Sequence, residues 1–75
     1  MKADVSIDCL GLFCPMPIVK TAEKIKEIDA GKVLEVISDD EGIVDDMPNW
    51  CKMTGHEFLG VEQNEDEFKA YVKKV

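Results

Sequence analysis

The sequence predicts a two-layer α/β sandwich of the α+β kind. A four-stranded mixed sheet carries two helices on one face, and the elements run β-α-β-α-β-β. Three observations predict it. Val5, Ile7 and Cys9 alternate with Ser6 and Asp8, the period-two pattern of a strand. Ile18, Val19, Ala22, Ile25 and Ile28 recur at helical spacing, with lysines and glutamates between them, which describes an amphipathic helix over residues 15–29. Val33-Leu34-Glu35-Val36-Ile37 is mostly apolar and rich in β-branched residues, and reads as a strand buried on both faces. Strand, helix and strand with short connections form a right-handed unit, so the first two strands are expected to be parallel.

The remaining elements follow from punctuation and spacing. Gly31 reads as a left-handed stop for the first helix. Asp39 and Asp40 stand where a helix cap belongs, and Glu41 adds charge suited to a helix N-terminus. Ile43, Met47, Trp50, Cys51 and Thr54 repeat at helical spacing. Pro48 interrupts them, so a first turn over 41–45 and a main helix over 46–53 are expected, with a kink or restart at the proline. Gly55 ends this helix. Phe58 and Gly60-Val61, then Phe68, Ala70 and Tyr71-Val72, mark two last strands around an Asn64-Glu65-Asp66 turn.

Length and charge narrow the function. Seventy-five residues predict a single domain over 1–75. Such a chain buries only roughly 60% of the surface it exposes when unfolded, so a large interdomain cleft and a self-contained nucleotide-binding fold are excluded. Nine basic against sixteen acidic residues give a net charge of −7, and all nine basic residues are lysines. Without arginine there is no bidentate fork for phosphate or guanine edges, so direct nucleic-acid binding is not expected. The longest uncharged stretch, residues 9–19, is broken by Gly11, Pro15 and Pro17 and is shorter than the ~20 residues that span a bilayer. Three cysteines, an odd number, and acids near the start in place of an apolar leader point to a reducing cytoplasm.

The most informative segment is Cys14-Pro15-Met16-Pro17. With Cys14 at the N-cap, Pro15 takes N1, the favoured proline position, and Pro17 takes N3. Both lack an N–H, and the donors that remain, on Met16 and Ile18, are expected to point at the Cys14 sulfur. The helix macrodipole places partial positive charge at the same spot, and both effects favour a thiolate over a thiol. The two rings stiffen the turn, and Gly11 lets the preceding loop bend. A thiolate of this kind could carry a persulfide, shuttle disulfides or bind a soft metal. Peptide hydrolysis needs a nearby base, and His56, the only histidine, falls at a strand start. Zinc is disfavoured because three cysteines and one histidine at these spacings make no paired-ligand knuckle. The acids Asp39, Asp40, Glu41, Asp45 and Asp46 lack the alternating spacing of a calcium loop and read as capping and solvated face.

Ile7-Asp8-Cys9-Leu10-Gly11-Leu12-Phe13-Cys14-Pro15-Met16-Pro17 resembles the signature of the TusA-like (SirA-like) sulfur-carrier family. The resemblance continues through Gly31-Lys32-Val33-Leu34, Ser38-Asp39-Asp40, Asp46-Met47-Pro48-Asn49-Trp50-Cys51 and Gly55-His56. It implies a two-layer α/β fold of this element order. It also implies a sulfurtransferase without metal or organic cofactor, in which the cysteine of the Cys-Pro-x-Pro motif, here Cys14, carries persulfide sulfur. The donor would be a protein such as a cysteine desulfurase or rhodanese, and the acceptor another protein of a sulfur relay. In the best-known tRNA-thiolation members a basic residue precedes the motif cysteine and an acidic one separates the prolines; here these are Phe13 and Met16. Asp45 replaces an arginine usual in those members, and Cys9 is a thiol they lack.

Two functions are therefore carried forward. One is the persulfide carrier, with Gly11, Pro15 and Pro17 supporting Cys14, and with Phe13 and Met16 as an exposed apolar rim that docks partner proteins. A carrier of this kind is expected to act as a monomer. The other is a redox switch or interaction module built on a reversible Cys9–Cys14 disulfide. Cys9 itself reads either as a small hydrophobe ending a strand or as a resolving or second sulfur-carrying thiol. Cys51 reads as core, Trp50 as core or rim, Leu12 as core, and His56 as a polar residue opening a strand.

Overall fold

A computed structural model describes residues 3–13 and 16–75. The elements are β1 (Val5–Asp8), α1 (Met16–Ile25), β2 (Val33–Ser38), α2 (Ile43–Thr54), β3 (Glu57–Asn64) and β4 (Glu67–Lys73). The sheet order is β1-β2-β4-β3. β1 runs parallel to β2, and the other neighbours are antiparallel.

Register explains where the core lies. Leu34 and Val36 of β2 pair with Val72 and Ala70 of β4, and all four are buried. Val5 and Ile7 flank them from β1, and Phe58 and Val61 from β3. This face is covered by the helices, α1 over β1 and β2, and α2 over β4 and β3. Pro17, Thr21 and Ile25 of α1 are buried, as are Ile43, Met47 and Cys51 of α2, each set on one stripe at a spacing of four. Thr21 can be buried among apolar neighbours because its hydroxyl donates to the Pro17 carbonyl at 2.7 Å.

Among the described residues, no helix lies on the opposite face of the sheet. Burial along β2 therefore alternates, with Leu34, Val36 and Ser38 buried and Val33, Glu35 and Ile37 only partly so. This corrects the expectation of a strand buried on both faces: two helices cover one side only. On the open side the Ser6 hydroxyl and the Tyr71 phenol donate to the two oxygens of Glu35, at 2.9 and 2.8 Å. Burial, then the Glu35 and Glu62 carboxylates, push the Tyr71 hydroxyl well above the ordinary tyrosine range.

Three helix boundaries differ from the sequence reading. α1 ends at Ile25, four residues early. Beyond it the chain tightens, with the Glu27 N–H on the Lys24 carbonyl, and the Ile28 carbonyl accepts from the Lys74 ammonium at 2.6 Å. Gly31 has a positive φ of 89°, yet it shapes the turn into β2 and donates its N–H to the Lys74 carbonyl. α2 runs through Pro48 without a restart. The proline removes the N–H that Val44 would have bound; Val44 lies on the exposed side, where solvent can take that role. The cap of α2 is Gly42, in helical conformation and without a side-chain cap bond. Asp40 instead closes the turn before it, with Oδ1 accepting the Gly42 N–H at 3.0 Å. Gly55 ends α2 as expected, in the left-handed region with its N–H on the Cys51 carbonyl at 2.8 Å. The β3–β4 loop is Glu65-Asp66, flanked by the Asn64–Glu67 pair, and a register shift near Leu59 sets Gly60 against Tyr71. None of the helices among the described residues is long and apolar enough to cross a membrane.

Candidate functional site

Parallel pairing of β1 and β2 brings the loops that follow them to the same end of the sheet. The β1–α1 loop leaves the sheet at Cys9, whose N–H donates to the Ile37 carbonyl at 2.7 Å. The following donors are taken one after another. The Leu10 N–H binds Asp8 Oδ1 at 2.9 Å, and the Gly11 N–H lies 3.2 Å from each oxygen of Asp39. The Leu12 N–H returns to the Cys9 carbonyl at 3.1 Å. Gly11 adopts a positive φ of 81°, and a side chain there would meet nothing within 4 Å. Glycine is required at this turn by backbone conformation and not by space.

The loop is apolar on its outer side. Phe13 is 78% exposed and Met16 is 38% exposed, with Leu10 and Val19 also open to solvent. Leu12 turns the other way and packs against the core. Cys14 and Pro15 lie outside the described residues. Their position in the sequence is between Phe13 and Met16, the first residue of α1. The first turn of α1 contains no acidic side chain. The Met16 N–H donates to the Phe13 carbonyl at 2.8 Å; the expected approach of the Met16 and Ile18 N–H groups to the Cys14 sulfur lies outside the described residues. Pro17 is buried and begins the apolar stripe of α1.

The two described cysteines are enclosed. Cys9 is 1% exposed; burial, then the adjacent Asp8 carboxylate, push its thiol up against a smaller pull from Lys20. Cys51 is 2% exposed, and burial pushes its thiol up to about 11. Both environments favour the neutral thiol, and thiolate is the reactive form. Cys9 therefore sits as a buried residue at a strand end, in conditions that suit neither attack on a disulfide nor resolution of one. His56 stacks on Trp50 at 5.5 Å between ring centroids, and its Nδ1 accepts the Val75 N–H at 3.2 Å. Its ring nitrogen serves the backbone, as expected of a polar residue opening a strand. Among the described residues, no three His, Cys, Asp or Glu side chains are grouped to hold a metal ion.

The sequence reading missed Asp39. It reads in the sequence as a cap of α2, whereas its carboxylate accepts the Gly11 N–H of the β1–α1 loop. The signal was available: residues just beyond two parallel neighbouring strands share one end of the sheet.

Known proteins resemble this chain closely. Residues 5–74 match the family described as “Sulfurtransferase TusA”. The chain is 45% identical over 74 residues to “Putative sulfur carrier protein YrkF” of Bacillus subtilis, covering 99% of this chain and 40% of that protein. It is 38% identical to a “Putative sulfur carrier protein” of Archaeoglobus fulgidus, covering 95% of this chain and 97% of that one. It is 32% identical to “Sulfur carrier protein TusA” of Pseudomonas syringae, covering 99% and 88%. The chain thus spans less than half of the first relative and most of the other two. Among solved structures, the SirA-like protein of Desulfitobacterium hafniense superposes with a TM-score of 0.75 at 24% identity, over 92% of this chain and 95% of that one. That likeness is one of fold.

Proposed function

The chain belongs to the TusA family of sulfur carriers, and from that premise we propose that Cys14 bears the sulfur it carries. One observation supports this most strongly. The other two of its three cysteines are buried and held as neutral thiols, whereas Cys14 directly precedes a proline-flanked helix start whose first turn holds no acid. The Cys14 thiolate attacks the outer sulfur of a persulfide on a donor protein. A new S–S bond forms at Cys14, the donor's S–S bond breaks, and the donor leaves as a thiolate. The same step run from Cys14 to an acceptor protein completes the transfer, with no net oxidation. A cysteine desulfurase or a rhodanese is a donor of the right chemistry, and the acceptor is a further protein of a sulfur relay. Phe13 and Met16 supply the apolar contact that a partner must cover to reach the Cys14 sulfur.

The test is intact-protein mass after incubation with a cysteine desulfurase and cysteine. The wild-type chain gains about 32 Da, lost on treatment with dithiothreitol. Cys14→Ser gains nothing, while Cys9→Ala and Cys51→Ala load normally. Full loading of Cys14→Ser would place the sulfur elsewhere.

A further inference from the structure

Besides the packing of Leu12 on the core, the loop that leads into Cys14 is tied to the rest of the fold by hydrogen bonds at two described points. One is the Cys9 N–H on the Ile37 carbonyl, a continuation of the β1–β2 pairing. The other lies beyond the sheet, where the Gly11 N–H sits 3.2 Å from both oxygens of Asp39, a residue 28 positions away. The bonds of Leu10 to Asp8 and of Leu12 to Cys9 are local and fix the shape of the turn, not its place. Among the described residues, the cap of α2 is Gly42, and the side-chain bond that closes the preceding turn comes from Asp40 and not from Asp39.

We infer that Asp39 is a positioning residue for sulfur transfer, its carboxylate holding the Gly11 N–H so that the segment leading into Cys14 keeps a fixed place at the end of β2. This rests on the assignment of Cys14 as the carrier. The physical reason is directional. An in-line attack on a partner's persulfide tolerates little displacement of the sulfur, so a loop allowed to swing loses rate even when its thiol is unchanged. Gly11 makes this contact in a turn with a positive φ of 81°, a conformation that favours glycine.

Asp39→Ala and Asp39→Asn separate the tether from other roles, because asparagine keeps an acceptor oxygen. In Asp39→Ala the Gly11 amide is expected to exchange its hydrogen about tenfold faster, and sulfur loading at saturating donor to slow about tenfold with KM for the donor nearly unchanged. Asp39→Asn is expected to recover most of both. Wild-type exchange and loading in Asp39→Ala would overturn the inference, and so would an Asp39→Asn as impaired as the alanine variant. Alkylation of Cys14 by iodoacetamide at fixed pH reads thiol reactivity without a donor. Alkylation within about twofold of wild type in Asp39→Ala, beside slowed loading, supports positioning, and an equal loss in both assays overturns it. If wild-type protein takes up no sulfur at all, the carrier assignment fails by itself, and the exchange measurement still decides whether Asp39 holds the loop.

Discussion

The two helices lie side by side on one sheet, and they begin in opposite ways. α2 starts after Gly42 and carries Asp45 and Asp46 in its first turn, so carboxylates meet the positive end of its dipole. α1 starts at Met16 with no acid in its first turn and with Phe13 and Met16 turned to solvent. The first turn of α2 carries its own counter-charge. The start of α1 leaves its positive end to a group outside the first turn, and the residue that stands there in sequence is Cys14. Both helices bury a stripe in the core, and the contrast lies in their first turns, one acidic and one without an acid.

That contrast can be broken by substitution. The largest effect belongs to the structural helix. Met47 is fully buried in the core, and Met47→Ala is expected to cost about 3 kcal/mol of stability, read from urea unfolding. Where the variant remains folded, the alkylation rate of Cys14 should not change.

Cys51 gives the next effect, through pH. Its folded pKa of about 11 lies above the ordinary thiol value, so the folded chain keeps a proton that the unfolded chain releases. The stability this adds is complete below the unfolded pKa of about 8.5 and is lost as pH rises toward 11, at most about 3 kcal/mol. Unfolding curves from neutral pH to 10.5 should show a steeper loss for wild type than for Cys51→Ala. Identical slopes would mean that the thiol titrates normally.

The rim of α1 should behave in the reverse manner. Phe13→Ala removes an exposed ring, so stability is expected to stay within about 0.5 kcal/mol of wild type. Sulfur exchange with a protein donor should weaken about fivefold, the loss of roughly 1 kcal/mol of apolar contact. The smallest change sharpens the comparison itself. Met16→Glu gives α1 the acidic first turn that α2 has, and should raise the apparent pKa of Cys14 by about half a unit.

Much of this was legible in the sequence, for reasons that can be named. The alternation of Val5, Ile7 and Cys9 and the stop at Gly55 are local signals, and both were reproduced. The end of α1 was not local. Just past it the Ile28 carbonyl accepts from Lys74, at the far end of the chain, and no periodicity within residues 15–29 reports that contact. The open face of β2 was hidden because an apolar run looks alike whether one or two layers cover it. At the site, proline chemistry and spacing single out Cys14 in the sequence alone, whereas the neutrality of Cys9 required its burial. The Met16 N–H bond to the Phe13 carbonyl was not legible, because it depends on how the loop folds back before the helix begins.

The central claim is that, among the three cysteines, Cys14 alone is poised as a thiolate. It is tested most directly by the pH dependence of iodoacetamide alkylation of the folded protein, with each cysteine followed by peptide mass. Cys14 should react fastest, with a midpoint about one unit or more below the ordinary value of about 8.5, while Cys9 and Cys51 stay unmodified until the chain is unfolded. A Cys14 midpoint at or above 8.5, or a faster reaction at Cys9, would contradict the account.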